Sequence, residues 1–330
     1  MTLSASEVSR LLREHHVTPS RALGQNFVVD PNTVRRVARL AGVGPGDRVV
    51  EIGAGLGSLT LALAGTGAEV TAIERDRALL GALRDVLAER APERNVRVVE
   101  ADAMHLDWER LLGREGPWVL VANLPYNIAT PLVADLLDGV HQVERMLVMV
   151  QREVAERLAA RPGGPAYGAV SVKVAYWAEA ELVGPVPASV FLPRPKVGSA
   201  LIRLVRRPAP AVDPGEVPTS YFFSLVRAGF AQRRKMLRRV LAGLGLPEGV
   251  WHEAGVAPEA RAEQLSVADW GRLAGAAWRA GVALSGPPGA GPSGAGPSGA
   301  GPSGAGPSGA GPSGAGPSGA GLARAEAAAS

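Results

Sequence analysis

The sequence predicts an α/β protein, with a mostly parallel β-sheet followed by a small helical domain. Over residues 1–207, short apolar segments rich in Val and Ile alternate with amphipathic segments. Apolar strands between helices are typical of a parallel sheet that is buried on both faces. After Val212 the apolar residues recur at helical spacing alone. These two observations predict the fold class.

The first helices carry signals at their ends. Ser4 followed by Glu7 is a capping-box pattern. Asp30, Pro31 and Gly42 are typical of the cap, the first turn and the end of a second helix. The sequence therefore predicts two helices before the first strand of the sheet.

Five strands follow, separated by helices. They are predicted in RVVEI, AEVTAIE, NVRVVEAD, PWVLVANLP and ERMLVMVQ. Two later segments, SVKVAYWAEAELV and GSALIRLVRR, are predicted to add antiparallel edge strands. In the helical domain, YFFSLVRAGFAQRRKMLRRVLAGLG predicts one long helix that ends at Gly243, and VADWGRLAGAAWRA predicts another.

Composition shifts divide the chain into three parts. The Pro-rich segment RRPAPAVDPGEVP predicts a linker, so we expect domains at 1–207 and 208–284. The unit GPSGA then repeats from Gly291 to Ala320. Because the repeat has no large apolar residue, residues 285–330 are predicted to be a disordered tail. A tether or interaction arm is the alternative for this tail.

The composition also excludes several classes of protein. The formal net charge is +4 and the sequence pI is about 9.8, which is consistent with a nucleic-acid partner. The chain has no Cys, so disulfides, thiolate metal sites and Cys nucleophiles are excluded. Its five His residues are scattered, and we expect no metal. With no signal-peptide pattern and no long apolar run, the sequence predicts a cytoplasmic protein without a membrane partner.

The segment VVEIGAGLG ends the first predicted strand of the sheet and opens a helix. Gly53, Gly55 and Gly57 allow a tight turn and a close approach of the backbone to a ligand. Dinucleotide-binding loops have the spacing G-x-G-x-x-G, whereas this loop is G-x-G-x-G with Glu51 ahead of it. This variant resembles the S-adenosylmethionine loop of class I methyltransferases. A Gly-rich turn with no ligand is the alternative.

Two acidic residues follow the next two strands. Glu74, 21 residues after Gly53, can accept hydrogen bonds from ribose hydroxyls. Asp102 ends the third strand, where methyltransferases hold the adenine amine of the cofactor. Taken alone, each residue has an ordinary alternative, a solvent-facing Glu and an Asp that caps a turn.

The segment Asn123-Leu124-Pro125-Tyr126 follows the fourth strand. It resembles the N/D-P-P-Y/F motif of adenine-N6 and other amino methyltransferases. An exocyclic adenine amine is a poor nucleophile because its lone pair is delocalised into the ring. The Asn123 side-chain oxygen and the Leu124 carbonyl can accept hydrogen bonds from this amine and favour tetrahedral geometry. Pro125 stiffens the loop, and Tyr126 offers a face to an unstacked base.

Several motifs in order resemble the ribosomal RNA adenine dimethyltransferases, in their KsgA branch. They are LGQNFVVD, EIGAGLG, NLPYNIATPL, QREVAERLAARPGGPAYGAVSV, FLPRPKVGSALIRL and FAQRRKMLRR, within residues 15–275. The resemblance implies a Rossmann-like class I methyltransferase fold with S-adenosylmethionine as methyl donor. The implied reaction is N6-dimethylation of two adjacent adenosines near the 3′ end of 16S rRNA, in a pre-30S particle. We expect a monomer.

The same resemblance implies roles for individual residues. The cofactor residues implied are Asn26, Val28, Gly53, Gly55, Glu74, Asp102 and Asn123. The target-adenine residues implied are Leu124, Pro125 and Tyr126 beside Asn123, with Phe191 as a second aromatic wall. The chain departs from the family at two positions, with Val28 where Leu is usual and Gly198 where Asp is usual.

A basic cluster follows Gln232 on the predicted long helix. Arg233, Arg234 and Lys235 are expected to contact rRNA phosphates, as are Arg238 and Arg239. A solvated helix face is the alternative for this cluster. At the level of the whole protein, two other functions stay open, a 23S rRNA dimethyltransferase that confers macrolide resistance and a non-catalytic assembly factor that binds rRNA.

Overall fold

The computed structural model describes residues 2–20, 23–114 and 116–284. Its strands are β1 (Phe27–Val28), β2 (Arg48–Ile52), β3 (Glu69–Glu74), β4 (Val96–Glu100), β5 (Trp118–Asn123), β6 (Val143–Gln151), β7 (Ala178–Val186), β8 (Phe191–Leu192) and β9 (Ser199–Arg206). Its helices are α1 (Ala5–Glu14), α2 (Pro31–Ala41), α3 (Ser58–Ala64), α4 (Arg77–Arg90), α5 (Trp108–Leu112), α6 (Ala129–Gly139), α7 (Arg152–Leu158), α8 (Ala169–Trp177), α9 (Thr219–Phe230), α10 (Leu237–Val240), α11 (Glu248–Ala254) and α12 (Val267–Arg279). The predicted tail lies outside the described residues.

A seven-stranded sheet forms the centre of the fold, in the order β4-β3-β2-β5-β6-β9-β7. The five strands from β4 to β6 are parallel, whereas β9 and β7 are antiparallel to their neighbours. A separate two-stranded sheet pairs β1 with β8. The predicted fold class is confirmed. Because parallel strands end at the same edge, the carboxyl ends of β2, β3, β4 and β5 lie together there.

The predicted helix caps are present. The Ser4 side chain accepts from Glu7 N, and the Glu7 side chain receives the Ser4 N–H, which completes the capping box. The hydrogen bonds from Ser4 help to lower the pKa of Glu7 to about 2. Asp30 caps α2 by accepting from Thr33 N at 2.8 Å, and Gly42 ends that helix at a φ of 60°. These local signals could be predicted because they involve neighbours in sequence.

Half of one predicted edge strand is a helix. The residues SVKVAYW lie in α8, and only the segment from Ala178 onward forms β7. Val172 and Tyr176 are buried among the C-terminal helices, while Val174 is buried beside the sheet. The alternating apolar residues therefore face two different apolar clusters, and this packing outweighs their strand propensity.

The predicted long helix ending at Gly243 is also wrong. It is broken between α9 and α10 by residues 231–236, and Gly243 lies in a short 3₁₀ turn. The Leu237 and Arg238 amides donate to the carbonyls of Ala260 and Pro258, at 2.8 and 3.0 Å. Backbone groups that would continue an α-helix thus bond to a distant loop instead. The spacing of apolar residues in the sequence carries no information about such a contact.

The C-terminal helices enclose their own apolar cluster, which contains Phe222, Phe223 and Trp270. The same cluster takes in Tyr167 and Tyr176, which precede the last strands of the sheet. The division into domains at 1–207 and 208–284 stays a prediction. None of the described helices is both long and apolar enough to cross a membrane.

Candidate active site

A cavity of about 230 Å³ opens at the carboxyl edge of the parallel strands. Its lining includes every residue that was predicted to bind a cofactor: Asn26, Val28, Gly53, Gly55, Glu74, Asp102 and Asn123. Pro125 lines the cavity as well. The fold therefore brings together residues from the segment before α2 and from the ends of β2, β3, β4 and β5.

The glycine loop between β2 and α3 needs its glycines for two reasons. Gly53, Gly55 and Gly57 have φ values of 74°, 58° and 87°, which side chains disfavour. A Cβ on Gly55 would lie 3.1 Å from the ring of Phe27, and one on Gly57 would lie 2.8 Å from Leu83. The loop thus passes closely between Phe27 of β1 and Leu83 of α4, and Gly53 and Gly55 line the cavity.

The Glu74 carboxylate is held by backbone amides. Its Oε2 accepts from Gly55 N at 2.7 Å, and its Oε1 accepts from the amides of Arg75 and Asp76 at 2.9 and 2.8 Å. Burial raises the pKa of Glu74, and these three hydrogen bonds oppose that rise. Since a carboxylate has about four acceptor positions, Glu74 can still accept from a ligand in the cavity.

Glu51 lines the same cavity, although the sequence assigned it no role. It is 1% exposed, and its Oε2 is one of the buried atoms that lack a hydrogen-bond partner in the described part of the chain. Burial raises the pKa of Glu51 to about 8; the nearby Thr60 hydroxyl opposes this rise and Glu74 adds to it. An unsatisfied carboxyl group beside a cavity suits a cationic or hydrogen-bond-donating ligand.

Asp102 and Arg75 both line the cavity and contact each other. Asp102 Oδ1 accepts from Met104 N at 3.0 Å, and Asp102 Oδ2 lies 2.9 Å from Arg75 Nη1. The Asp102 side chain is 26% exposed, so an incoming donor can reach it. Arg75 could not be predicted from the sequence, because its contact with Asp102 depends on the adjacency of β3 and β4.

The Asn123 side chain is oriented by a distant backbone group. Its Nδ2 donates to Asn26 O at 2.9 Å. Because a carbonyl can only accept, this contact fixes which end of the amide is the nitrogen and leaves Oδ1 on the opposite side. Asn26 in turn donates from its own Nδ2 to Gly24 O at 3.1 Å. The segment before β1 thus orients the amide at the end of β5.

The other residues of the Asn123–Tyr126 motif hold the loop in place. Leu124 is 1% exposed, and its amide donates to Met149 O at 3.0 Å. Pro125 O accepts from the amides of Ile128 and Ala129, which starts α6. The loop is therefore fixed from both the sheet and the following helix.

Tyr126 is anchored through its hydroxyl. The hydroxyl oxygen lies 2.6 Å from Ser199 Oγ, and Ser199 is 1% exposed. Burial raises the pKa of Tyr126, so the phenol stays neutral. The ring is half-buried and its tip is tied to the first residue of β9.

The predicted RNA-binding residues lie in two different environments. Phe191 is 3% exposed and pairs with Val28 between the two short strands, so its ring presents no open face to a base. Arg233 lies in a turn rather than on the predicted helix. Its guanidinium contacts Glu263 at 2.6 Å and donates to the carbonyls of Gly164 and Pro165.

The rest of that basic cluster is only partly available. Arg234 and Lys235 are exposed and make no side-chain hydrogen bond or ion pair with any residue that the structure describes. Arg238 pairs with Glu259 at 2.9 Å. Over residues 2–20, 23–114 and 116–284, no group of three or more His, Asp or Glu residues could hold a metal ion.

Comparison with known proteins agrees with this geometry. Residues 18–277 match the family model for ribosomal RNA adenine dimethylase. A ribosomal RNA small subunit methyltransferase A from Thermobifida fusca is 47% identical over 278 residues, which cover 82% of this chain and 95% of that protein. The protein of the same description from Streptomyces coelicolor is 47% identical over 281 residues, with 82% and 96% coverage.

Two solved structures share the fold over most of their length. A dimethyladenosine transferase from Plasmodium falciparum has a TM-score of 0.67 at 23% identity and covers 78% of this chain and 98% of its own. The 23S rRNA methyltransferase ErmE has a TM-score of 0.61 at 28% identity, with 76% and 98% coverage. The predicted fold and the predicted methyl donor are both confirmed. The chain belongs to the ribosomal RNA adenine dimethylase family and is an S-adenosylmethionine-dependent rRNA adenine dimethyltransferase.

Proposed function

We propose that this chain dimethylates the N6 amines of two adjacent adenosines near the 3′ end of 16S rRNA, in a small-subunit precursor in the cytoplasm. The observation that carries the chemistry is the orientation of Asn123, whose Nδ2 is held by Asn26 O so that Oδ1 remains as an acceptor. The choice of small-subunit rRNA is supported by the relatives at 47% identity, which are described as small subunit methyltransferases.

The residues of the cavity fit S-adenosylmethionine. Its ribose hydroxyls match Glu74, which keeps about one acceptor position free, and its adenine amine matches Asp102. Its positive charges match the unsatisfied Glu51 carboxyl, and the glycine loop leaves space that a Cβ would fill. When bound, the cofactor supplies an electrophilic methyl group on a sulfonium.

The target amine is neutral, and so are the residues proposed to hold it. Asn123 Oδ1 and the Leu124 carbonyl accept its two hydrogens, which draws the lone pair out of conjugation with the ring. Pro125 limits the movement of this loop. The Tyr126 ring supports the base after it has left its stack, as enzymes that modify bases require. Position rather than proton abstraction is the main contribution of these residues.

The exposed side chains of Arg234 and Lys235 are proposed to contact rRNA phosphates at a distance from the cavity. Such contacts give affinity that is not specific for sequence and that falls with salt. Arg233 has a structural role in this proposal. Its ion pair and its hydrogen bonds to two carbonyls stabilise the turn that carries Arg234 and Lys235.

Labelled methyl transfer to 30S particles tests this proposal. The particles come from cells that lack their own enzyme, and the modified bases are mapped after the reaction. We expect two adjacent dimethylated adenosines near the 3′ end of 16S rRNA. Label on 23S rRNA would support the macrolide-resistance alternative. Binding to the particles without any transfer would support the assembly factor.

A further inference from the structure

The segment PRPKVG, residues 193–198, joins two points that are both fixed to the candidate active site; we name it the rim loop. On its amino-terminal side, Leu192 pairs with Phe27, the residue after Asn26. On its carboxyl-terminal side, Ser199 Oγ lies 2.6 Å from the Tyr126 hydroxyl. One end of the rim loop is therefore next to the support of Asn123, and the other end is next to the proposed base platform.

A third contact holds the rim loop near its end. The Arg152 amide, at the start of α7, donates to Gly198 O at 3.0 Å. Because Arg152 follows the carboxyl end of β6, this contact also lies at the edge of the sheet that carries the cavity. The rim loop is thus tied to that edge at three points.

Two uncompensated cations lie on the rim loop. Arg194 and Lys196 are exposed. Neither makes an ion pair or a side-chain hydrogen bond within the part of the chain that the structure describes. Other arginines in the same region are neutralised, such as Arg152 by Glu156 at 2.7 Å and Arg203 by Glu181 at 2.8 Å. The rim loop itself contains no Asp or Glu.

Both cations are within short reach of the site. Arg194 follows Leu192 by two residues, so its Cα lies within about 7 Å of the Leu192 Cα. Lys196 precedes Ser199 by three residues, which places its Cα within about 11 Å of the Ser199 Cα. A nucleotide whose base reaches residues 123–126 keeps its backbone outside that site, on the side where these side chains are exposed.

We propose that Arg194 and Lys196 bind the rRNA phosphates that flank the target adenosine and hold the strand while its base is turned into the site. This inference rests on the proposed function, and it adds where the reacting strand lies. Contacts to phosphates position a strand without reading its sequence. They therefore suit a site that must accept first one and then the other of two adjacent adenosines.

The test compares two double variants of the full chain. The first replaces Arg194→Gln and Lys196→Gln in the rim loop. The matched control replaces Arg94→Gln and Arg97→Gln, which are also exposed and have no ion pair in the described structure, but lie toward the amino-terminal end of β4. Both variants lose the same charge, so a general electrostatic effect on rRNA binding would appear in both.

Methyl transfer to 30S particles is measured at several salt concentrations, together with binding of S-adenosylmethionine by calorimetry. For the rim-loop variant we expect a roughly tenfold rise in KM for the particle, with cofactor affinity unchanged. The slope of log KM against log salt should fall by about 1.4, the value for two phosphate contacts on a single strand. The control should match the unsubstituted protein in both quantities.

Two results would count against the inference. One is equal KM and equal salt slope in the rim-loop variant and the control. The other is a loss of cofactor binding in the rim-loop variant, which would indicate damage to the cavity rather than to a phosphate contact. Failure of the proposed function looks different, because the unsubstituted protein would then place no label on 16S rRNA.

Discussion

The two halves of the candidate active site differ in charge. The half proposed for the cofactor contains four carboxyl groups, those of Glu51, Glu74, Asp76 and Asp102. The half proposed for the target base, residues 123–126, contains none. A ligand that carries positive charge meets carboxyl groups, whereas an amine that must stay neutral until it reacts meets an amide, a carbonyl and a phenol. The difference indicates which ligand occupies which half.

The two halves also differ in how their groups are held. Glu74 receives amides from Arg75 and Asp76 in its own turn, besides that of Gly55. Asn123, in contrast, depends on Asn26, and Tyr126 depends on Ser199. The cofactor half is therefore built largely within the sheet, and the base half relies on segments that are remote in the chain.

The strongest test of the base half is Asn123→Ala. This substitution removes the acceptor at Oδ1, and we expect kcat to fall on the order of a thousandfold, while S-adenosylmethionine still binds. Asn123→Asp keeps an acceptor but loses the donor to Asn26 O, so intermediate activity is expected. Asn95→Ala, on an exposed turn, serves as the control. Near-normal kcat in Asn123→Ala would remove the proposed role of this amide.

Glu74→Gln tests the cofactor half. An amide cannot accept at its nitrogen, so at least one of the three backbone N–H groups loses its partner. We expect affinity for S-adenosylmethionine to fall roughly a hundredfold, with a smaller effect on kcat at saturation. Calorimetry and steady-state kinetics give the two numbers separately. A variant with normal affinity and low kcat would reverse the assignment of the two halves.

Two substitutions of Tyr126 distinguish the contribution of its ring from that of its hydroxyl. Tyr126→Ala removes the stacking face, and kcat/KM should fall about 10- to 100-fold, as expected for 1–3 kcal/mol of stacking. Tyr126→Phe keeps the ring but loses the 2.6 Å contact with Ser199, and a loss below about tenfold is expected. Comparable losses in both variants would show that the hydroxyl, rather than the ring face, is what matters.

The smallest expected effect is on stability and concerns Glu51. Its pKa is raised from 4.5 to about 8 by burial, so the folded state holds this proton more tightly than the unfolded state. Its contribution to stability is present below pH 4.5 and is lost as the pH rises toward 8. Glu51→Gln should therefore raise Tm at pH 8 and change it little at pH 5.

Thermal melts of both proteins across this pH range measure the effect, with and without S-adenosylmethionine. If the positive charge of the cofactor offsets the ionised Glu51, the cofactor should reduce the Tm difference between the Glu51→Gln variant and the unsubstituted protein at pH 8. Parallel Tm curves over the whole range would mean that Glu51 does not titrate in the folded protein at these pH values.

Much of the cofactor half could be predicted from the sequence. Gly53, Gly55, Glu74 and Asp102 lie at the end of a parallel strand or just after it, and parallel strands bring their carboxyl ends to one edge without further information. The break after α9 and the helical start before β7 could not be predicted, because distant backbone and side-chain contacts decide them. The burial of Phe191 and the ion pair of Arg233 belong to the same class of long-range contacts.

The contact between Tyr126 and Ser199 has a consequence for protein engineering. It ties the end of the rim loop to the loop that follows β5, while Leu192 ties the beginning to the segment that supports Asn123. Both ends of the rim loop are therefore anchored, at Leu192 and at Ser199. The residues between these anchors can be exchanged as one segment. Replacing residues 194–197 offers a way to change which RNA this scaffold accepts without altering the groups that perform the transfer.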